Sequence, residues 1–192
     1  MNKSKLSVFA LIAMALIWAT PASADDNKDR QRRDSNLTNV AIDKTVASNG
    51  LFFVGGFGAM QIVDLGSVAD GVFMKPGQNW TAGAVWWRED VDSISNTLTV
   101  YLGGTYKIRK LIVQVDNNDD YRVSWNDEVS GMTSVVVSPT FISFPGGLSV
   151  PVEVKVRAVT DQFIIEHDPG GRGDGYYSVS EFQALGKKNK RR

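Results

Sequence analysis

The sequence predicts an all-β protein, an antiparallel β-sandwich, on three observations. Apolar and polar residues alternate with a period of two through most of the chain, turn formers recur between the alternating stretches, and no window carries the period of an amphipathic helix. The clearest alternation is at 150–157, where Val150, Val152, Val154 and Val156 interleave with Pro151, Glu153, Lys155 and Arg157. Such a segment makes a strand with one buried and one wet face. Leu98, Val100 and Leu102 alternate with Thr97, Thr99 and Tyr101, and Leu111, Val113 and Val115 do the same within 107–116. The Gly103-Gly104 pair between these two strands predicts a hairpin. The run Asn117-Asn118-Asp119-Asp120 reads as a polar turn into a short strand at 121–125. Further strands are expected at 40–47, 82–87, 134–137 and 177–184. Phe163-Ile164-Ile165-Glu166 is too short for a helix and reads as a strand, and Asp168, Pro169, Gly170, Gly171, Gly173 and Gly175 supply the turn chemistry that follows it.

The two ends of the chain have a different character. Lys3 and Lys5 precede an apolar run at 6–18, and Ala22-Ser23-Ala24 has the small-x-small form of a cleavage site. Residues 1–24 therefore read as a signal peptide, which predicts an exported protein, extracellular or periplasmic. No later segment is apolar enough to be transmembrane. Residues 25–35 are highly charged without apolar periodicity and read as a linker, and 187–192 as a disordered basic tail. The folded domain is expected at 36–186.

Composition excludes several classes of chemistry. Removing 24 residues from the chain of 192 leaves about 168, enough for one domain with a substantial core. The chain has no Cys and one His, His167, so thiol nucleophiles, disulfides, thiolate zinc sites and multi-histidine metal sites are absent from the inventory. The body at 36–186 carries 10 Lys+Arg against 17 Asp+Glu. That acidic balance argues against a nucleic-acid partner. The segment 51–65, LFFVGGFGAMQIVDL, is expected to be buried strand bent at its glycines, with an exposed apolar spike as the alternative.

Several landmarks, in order, resemble the coagulation factor 5/8 type C, or discoidin-like, family of galactose-binding-like domains. Asn36-Leu37 followed by Val46-Ala47-Ser48 looks like that family's opening strand, and Val68-Ala69-Asp70-Gly71 like its A-x-D-G turn. Tyr101-Leu102-Gly103 followed by 108–113 resembles its D-L-G and I-x-x-V core, with Tyr101 in place of the usual Asp. Tyr121-Arg122-Val123 matches a Y-x-V strand, and 163–166 with 176–182 matches the closing pair that ends in S-x-S-E-F. The chain departs from the pattern by being longer at 50–65 and 71–87. The resemblance covers nearly the whole mature domain and implies a jelly-roll sandwich of about eight core strands.

It also implies a function: a secreted, non-catalytic module that binds carbohydrate or a cell-surface glycan through loops at one end. In sugar-binding relatives the acid of the A-x-D-G turn and the Glu before the final Phe help hold a structural Ca²⁺. These positions are Asp70 and Glu181 here, and hard cations do seek carboxylate and carbonyl oxygens. A glycan site needs an aromatic face and planar polar groups. Trp80, Trp86 or Trp87, Trp125, and Tyr176 or Tyr177 are the candidate faces, with Trp80 favoured as exposed because Pro76, Gly77, Gln78 and Asn79 flank it. Asn79, Arg88 and Arg172 are the candidate polar partners. The alternative is a lipid- or protein-binding adhesion module with spikes at 51–57 and 74–80, and a small glycan hydrolase is a third reading. Arg172-Gly173-Asp174 is an adhesion tripeptide that reads better as glycine-rich turn chemistry.

Overall fold

The computed structural model describes residues 36–56, 64–89, 96–141 and 146–190. The signal-peptide and linker readings at 1–24 and 25–35 lie outside the described residues. Among the described residues no helix is long and apolar enough to cross a membrane.

The described chain forms nine strands: β1 Thr38–Asn39, β2 Val46–Asn49, β3 Phe53–Val54, β4 Val85–Arg88, β5 Thr97–Val115, β6 Tyr121–Asp127, β7 Gly131–Val137, β8 Val152–His167 and β9 Tyr176–Lys188. Every pairing is antiparallel, in the order β3-β4-β9-β5-β8-β6-β7, with β1 on β9 and β2 on β5. Two long strands, β5 and β8, belong to both layers of a sandwich. The first half of β5 pairs with β2 and with Gln162–Ile165 of β8, whose far end pairs with β6. The second half of β5 lies between β9 and the first half of β8. Across the core, Phe163 of β8 meets Phe182 of β9 at 5.4 Å between ring centroids, and Trp87 of β4 meets Tyr121 of β6 at 6.0 Å. This is the predicted antiparallel jelly-roll architecture.

The Gly103-Gly104 hairpin is corrected. The diglycine bends one continuous strand, because residues on both sides pair with β8, with the register slipping between Tyr101 and Tyr106. Gly103 has φ 72°, the left-handed conformation that a bulge in a bent strand requires. Likewise the expected strands at 150–157 and 163–166 fall in one strand, β8, which begins at Val152 and leaves Val150 outside it and exposed.

A second slip positions a candidate ligand residue. Gln114 opposes Glu181 whereas Val115 opposes Val179, so Ser180 is an extra residue in β9. If this sequence ran as a regular strand, strict alternation from Val179 would turn Glu181 into the core and Phe182 out of it. With the bulge, Phe182 packs in the core and Glu181 faces the segment that contains Gly71. The end of β9 corrects the tail boundary. Lys187 and Lys188 pair with Lys107 and Tyr106 of β5, and Asn189 N–H donates to the Thr105 carbonyl at 2.9 Å. The backbone ladder outweighs the charge of these two lysines, whose side chains stay in water.

Candidate functional site

Two regions gather the predicted site residues. The first joins Asp70 and Glu181. A short 3₁₀ turn, Leu65–Ala69, packs Val68 and Ala69 into the core and delivers Asp70 and Gly71 against β9. Gly71 N–H donates to both oxygens of the fully buried Glu181, at 3.1 and 3.3 Å. Asp70 is exposed and accepts from Val72 N–H at 2.8 Å. Burial, and after it the charge of Asp70, push the Glu181 carboxyl up to about 8, against hydrogen bonds from Gln183 and Gly71 that oppose the rise. Two carboxyls 111 positions apart in sequence are thus neighbours. Among the described residues there is no group of three or more His, Cys, Asp or Glu able to hold a metal, so other ligands here would have to be neutral oxygens.

The second region is one end of the sandwich, where the turn at 75–84, the end of β4 and the start of β9 meet. Trp80 is 7 % exposed, which corrects the expectation of a free ring. Its backbone N–H donates to the Gly146 carbonyl at 3.2 Å, and Asn79 bridges to Gly147, so the loop before β8 closes over the turn. The ring packs at 5.1 Å from Trp86 and is stacked 6.3 Å from Tyr176. Tyr176 is half-buried and forms the outer member of this group. Arg88 is exposed and opposes Tyr176 in the β4–β9 register. Asn79 is exposed too, but its side chain accepts from Thr81 N–H at 2.9 Å and Thr81 Oγ1 at 2.7 Å. It is the N-cap of the turn Trp80–Ala82.

Arg172 is a clamp. Its Nη2 donates to Asp120 Oδ1 at 2.7 Å and to the Pro139 carbonyl at 3.1 Å, its Nε donates to the same carboxylate, and its backbone N–H reaches Asp120 Oδ2 at 3.0 Å. A planar fork matched to a carboxylate holds the side chain in one orientation, with Nε and Nη2 engaged. Nearby, Asp174 N–H donates to Asp119 Oδ1 at 2.9 Å, and Arg122 pairs with Asp168 at 2.6 Å. A Cβ built on Gly171 would stand 2.5 Å from Asp120 Cβ, so glycine permits this close approach. The Arg-Gly-Asp segment is therefore stitched to the β5–β6 turn. Asp120→Asn should speed hydrogen exchange at the Arg172 and Asp174 amides at least about tenfold while leaving core strands protected.

Sequence reasoning missed what lies under this stitched loop. Asp119, read as a turn residue, and Asp116, at the end of the expected strand before it, are fully buried. Burial, the Asp119 charge and the Asp119 carboxyl hold the Asp116 carboxyl well above its ordinary value, and burial lifts Asp119 to about 6. Most of the apolar residues proposed as spikes pack inward where described, although Leu51 is 65 % exposed. Phe52 is buried against Trp87 at 5.3 Å, Phe53 stacks on Trp86 at 4.6 Å, and Met74 packs beside Trp80. Contiguous aromatic residues stay out of water because the core accepts them. Residues 57–63 lie outside the described residues.

No protein-family model and no curated protein matches the chain. Among solved structures it is similar to a CBM32 of Clostridium perfringens in complex with GlcNAc-α-1,4-galactose, at 18 % identity over 87 % of this chain and 99 % of the other, with TM-score 0.45. It is similar to chitosan-binding module 1 of a Paenibacillus chitosanase/glucanase, at 18 % identity over 77 % and 98 %, with TM-score 0.47. A fucose binding module of Streptococcus pneumoniae is similar at 13 % identity over 81 % and 100 %, with TM-score 0.48. These are carbohydrate-binding modules; the sandwich in this chain rests on its own strand pairings.

Proposed function

We propose that this domain is a non-catalytic carbohydrate-binding module, exported by its N-terminal segment, that takes glycan at the sandwich end around Tyr176. The observation that carries this reading is the packing of Tyr176: a half-buried ring backed by the Trp80–Trp86 pair, with the exposed Arg88 opposite it in register. A ring held that way loses little side-chain entropy when a sugar face stacks on it, and a guanidinium beside it supplies planar donors for hydroxyls. The inward packing of Phe52, Phe53 and Met74 favours glycan over a lipid surface, because these apolar residues do not project. The small-hydrolase reading finds no support in the Asp116 and Asp119 carboxyls, which are buried beneath the loop and not set along a cleft.

The Asp70–Glu181 pair is proposed to hold a structural Ca²⁺. A buried carboxyl pressed against a second one needs a proton or a cation between them, and Gly71 N–H satisfies only part of Glu181. Bound Ca²⁺ would supply charge neutralisation, tying the turn after Ala69 to β9. A broad glycan array, run with Ca²⁺ and with chelator, tests the reading. Saturable binding to at least one glycan is expected, and silence across the array in both conditions overturns it.

A further inference from the structure

The buried carboxyls beneath the stitched loop have too few partners. Asp116 follows β5 directly; its N–H donates to the Ser178 carbonyl of β9 at 3.3 Å, and it bridges to Leu148. Its side chain is fully buried, and among the described residues neither of its oxygens has a hydrogen-bond partner. Asp119 Oδ1 accepts from Asp174 N–H at 2.9 Å and Asn118 Nδ2 at 3.2 Å, whereas Asp119 Oδ2 is buried without a partner. The hydroxyl of Ser178 is a separate case, also fully buried and also without one. The Tyr121 hydroxyl accepts from Ser178 N–H at 2.8 Å, and its own proton is within hydrogen-bonding reach of Asp116, which it pulls down against the rise from burial. Asp174 adds negative charge, and the neighbouring cation, Arg172, is spent on Asp120.

Two buried carboxyls pressed together at a water-excluded position, with the Tyr121 hydroxyl in reach of one of them, are costly unless a proton or a cation neutralises the pair. A shared proton is the competing occupant. A hard cation would draw on both carboxylates and on neutral hydroxyl oxygens, the ligand mixture that Ca²⁺ accepts with irregular geometry. We propose that Asp116 and Asp119 hold a divalent cation, Ca²⁺ by ligand chemistry, that staples the β5–β6 turn beneath the loop carrying Arg172 and Asp174. Two carboxylates make this site, so it is smaller in acidic residues than a cluster of three, and it is independent of the Asp70–Glu181 pair and of the glycan reading.

Calorimetric titration of the full mature chain with CaCl₂ separates the sites. Expected stoichiometry is about two equivalents for the unsubstituted protein, about one for Glu181→Gln, and none for Glu181→Gln combined with Asp116→Asn. In the Glu181→Gln background, millimolar Ca²⁺ should raise Tm by about 5 °C or more, and Asp116→Asn should abolish that rise. Asp119→Asn keeps the acceptor for Asp174 N–H and serves as the second variant if Asp116→Asn does not fold. Loss of all binding in Glu181→Gln overturns the proposal, as does binding that survives both aspartate substitutions. One equivalent in the unsubstituted protein, untouched by Glu181→Gln and abolished by Asp116→Asn, upholds it and removes the Asp70–Glu181 site instead.

Discussion

In chelator, Glu181→Gln should be more stable than the unsubstituted protein at pH 9 and about equal to it at pH 4.5. The folded-state carboxyl titrates at about 8 and the ordinary value is 4.5. Between those values the folded protein keeps a proton that the unfolded chain has lost. Its stability therefore falls by about 1.4 kcal/mol per pH unit as pH rises, and levels off above the folded value. The loss comes to roughly 5 kcal/mol for this fully buried group. The glutamine variant keeps an acceptor for Gly71 N–H and cannot ionise, so it escapes that fall. Asp116 and Asp119 tilt both proteins in the same direction, which is why the difference between variant and parent is the quantity to follow. Urea denaturation across the pH range checks this. Parallel profiles for the two proteins would show that Glu181 is not held against Asp70 as described. Millimolar Ca²⁺ should restore the parent above pH 7, since a cation between the carboxyls removes the reason for the raised value.

Trp80→Ala should cost about 3 kcal/mol in the same denaturation experiment. The ring fills the space between Trp86, Leu148 and Tyr176, and truncating a packed Trp loses both transfer energy and the cavity it leaves. A change below about 1 kcal/mol would mean that the ring is a surface platform, as the sequence alone implied. Because Tyr176 rests on Trp80, the substitution should also weaken glycan binding, although the indole itself contributes little open surface.

The strands were legible because period two survives in single segments: Val152, Val154 and Val156 turn inward along β8 while Glu153, Lys155 and Arg157 stay exposed. What escaped was non-local. Gly103-Gly104 has the local chemistry of a hairpin, and only the pairing of both flanks with β8 shows a bend between layers. Trp80 sits among turn formers, yet its burial depends on the Gly146–Leu148 stretch arriving from 66 residues downstream. The same holds for Asp116, which ends an apolar strand and opens a polar run. Its burial depends on β9 and on a loop that lies more than fifty residues away. Asp70 and Glu181 were placed together by motif resemblance, and the extra residue Ser180 is the backbone device that makes the placement work. Arg172 was read for its donors, and only the structure shows that Asp120 already holds them.

The claim that the sandwich end around Tyr176 binds glycan is tested most directly by an array probed in parallel with the unsubstituted protein and Tyr176→Ala, each confirmed folded by circular dichroism. The account predicts saturable binding to at least one glycan, weakened about tenfold or more by loss of the ring. Equal binding by the two proteins, or no binding by either with or without Ca²⁺, would contradict it.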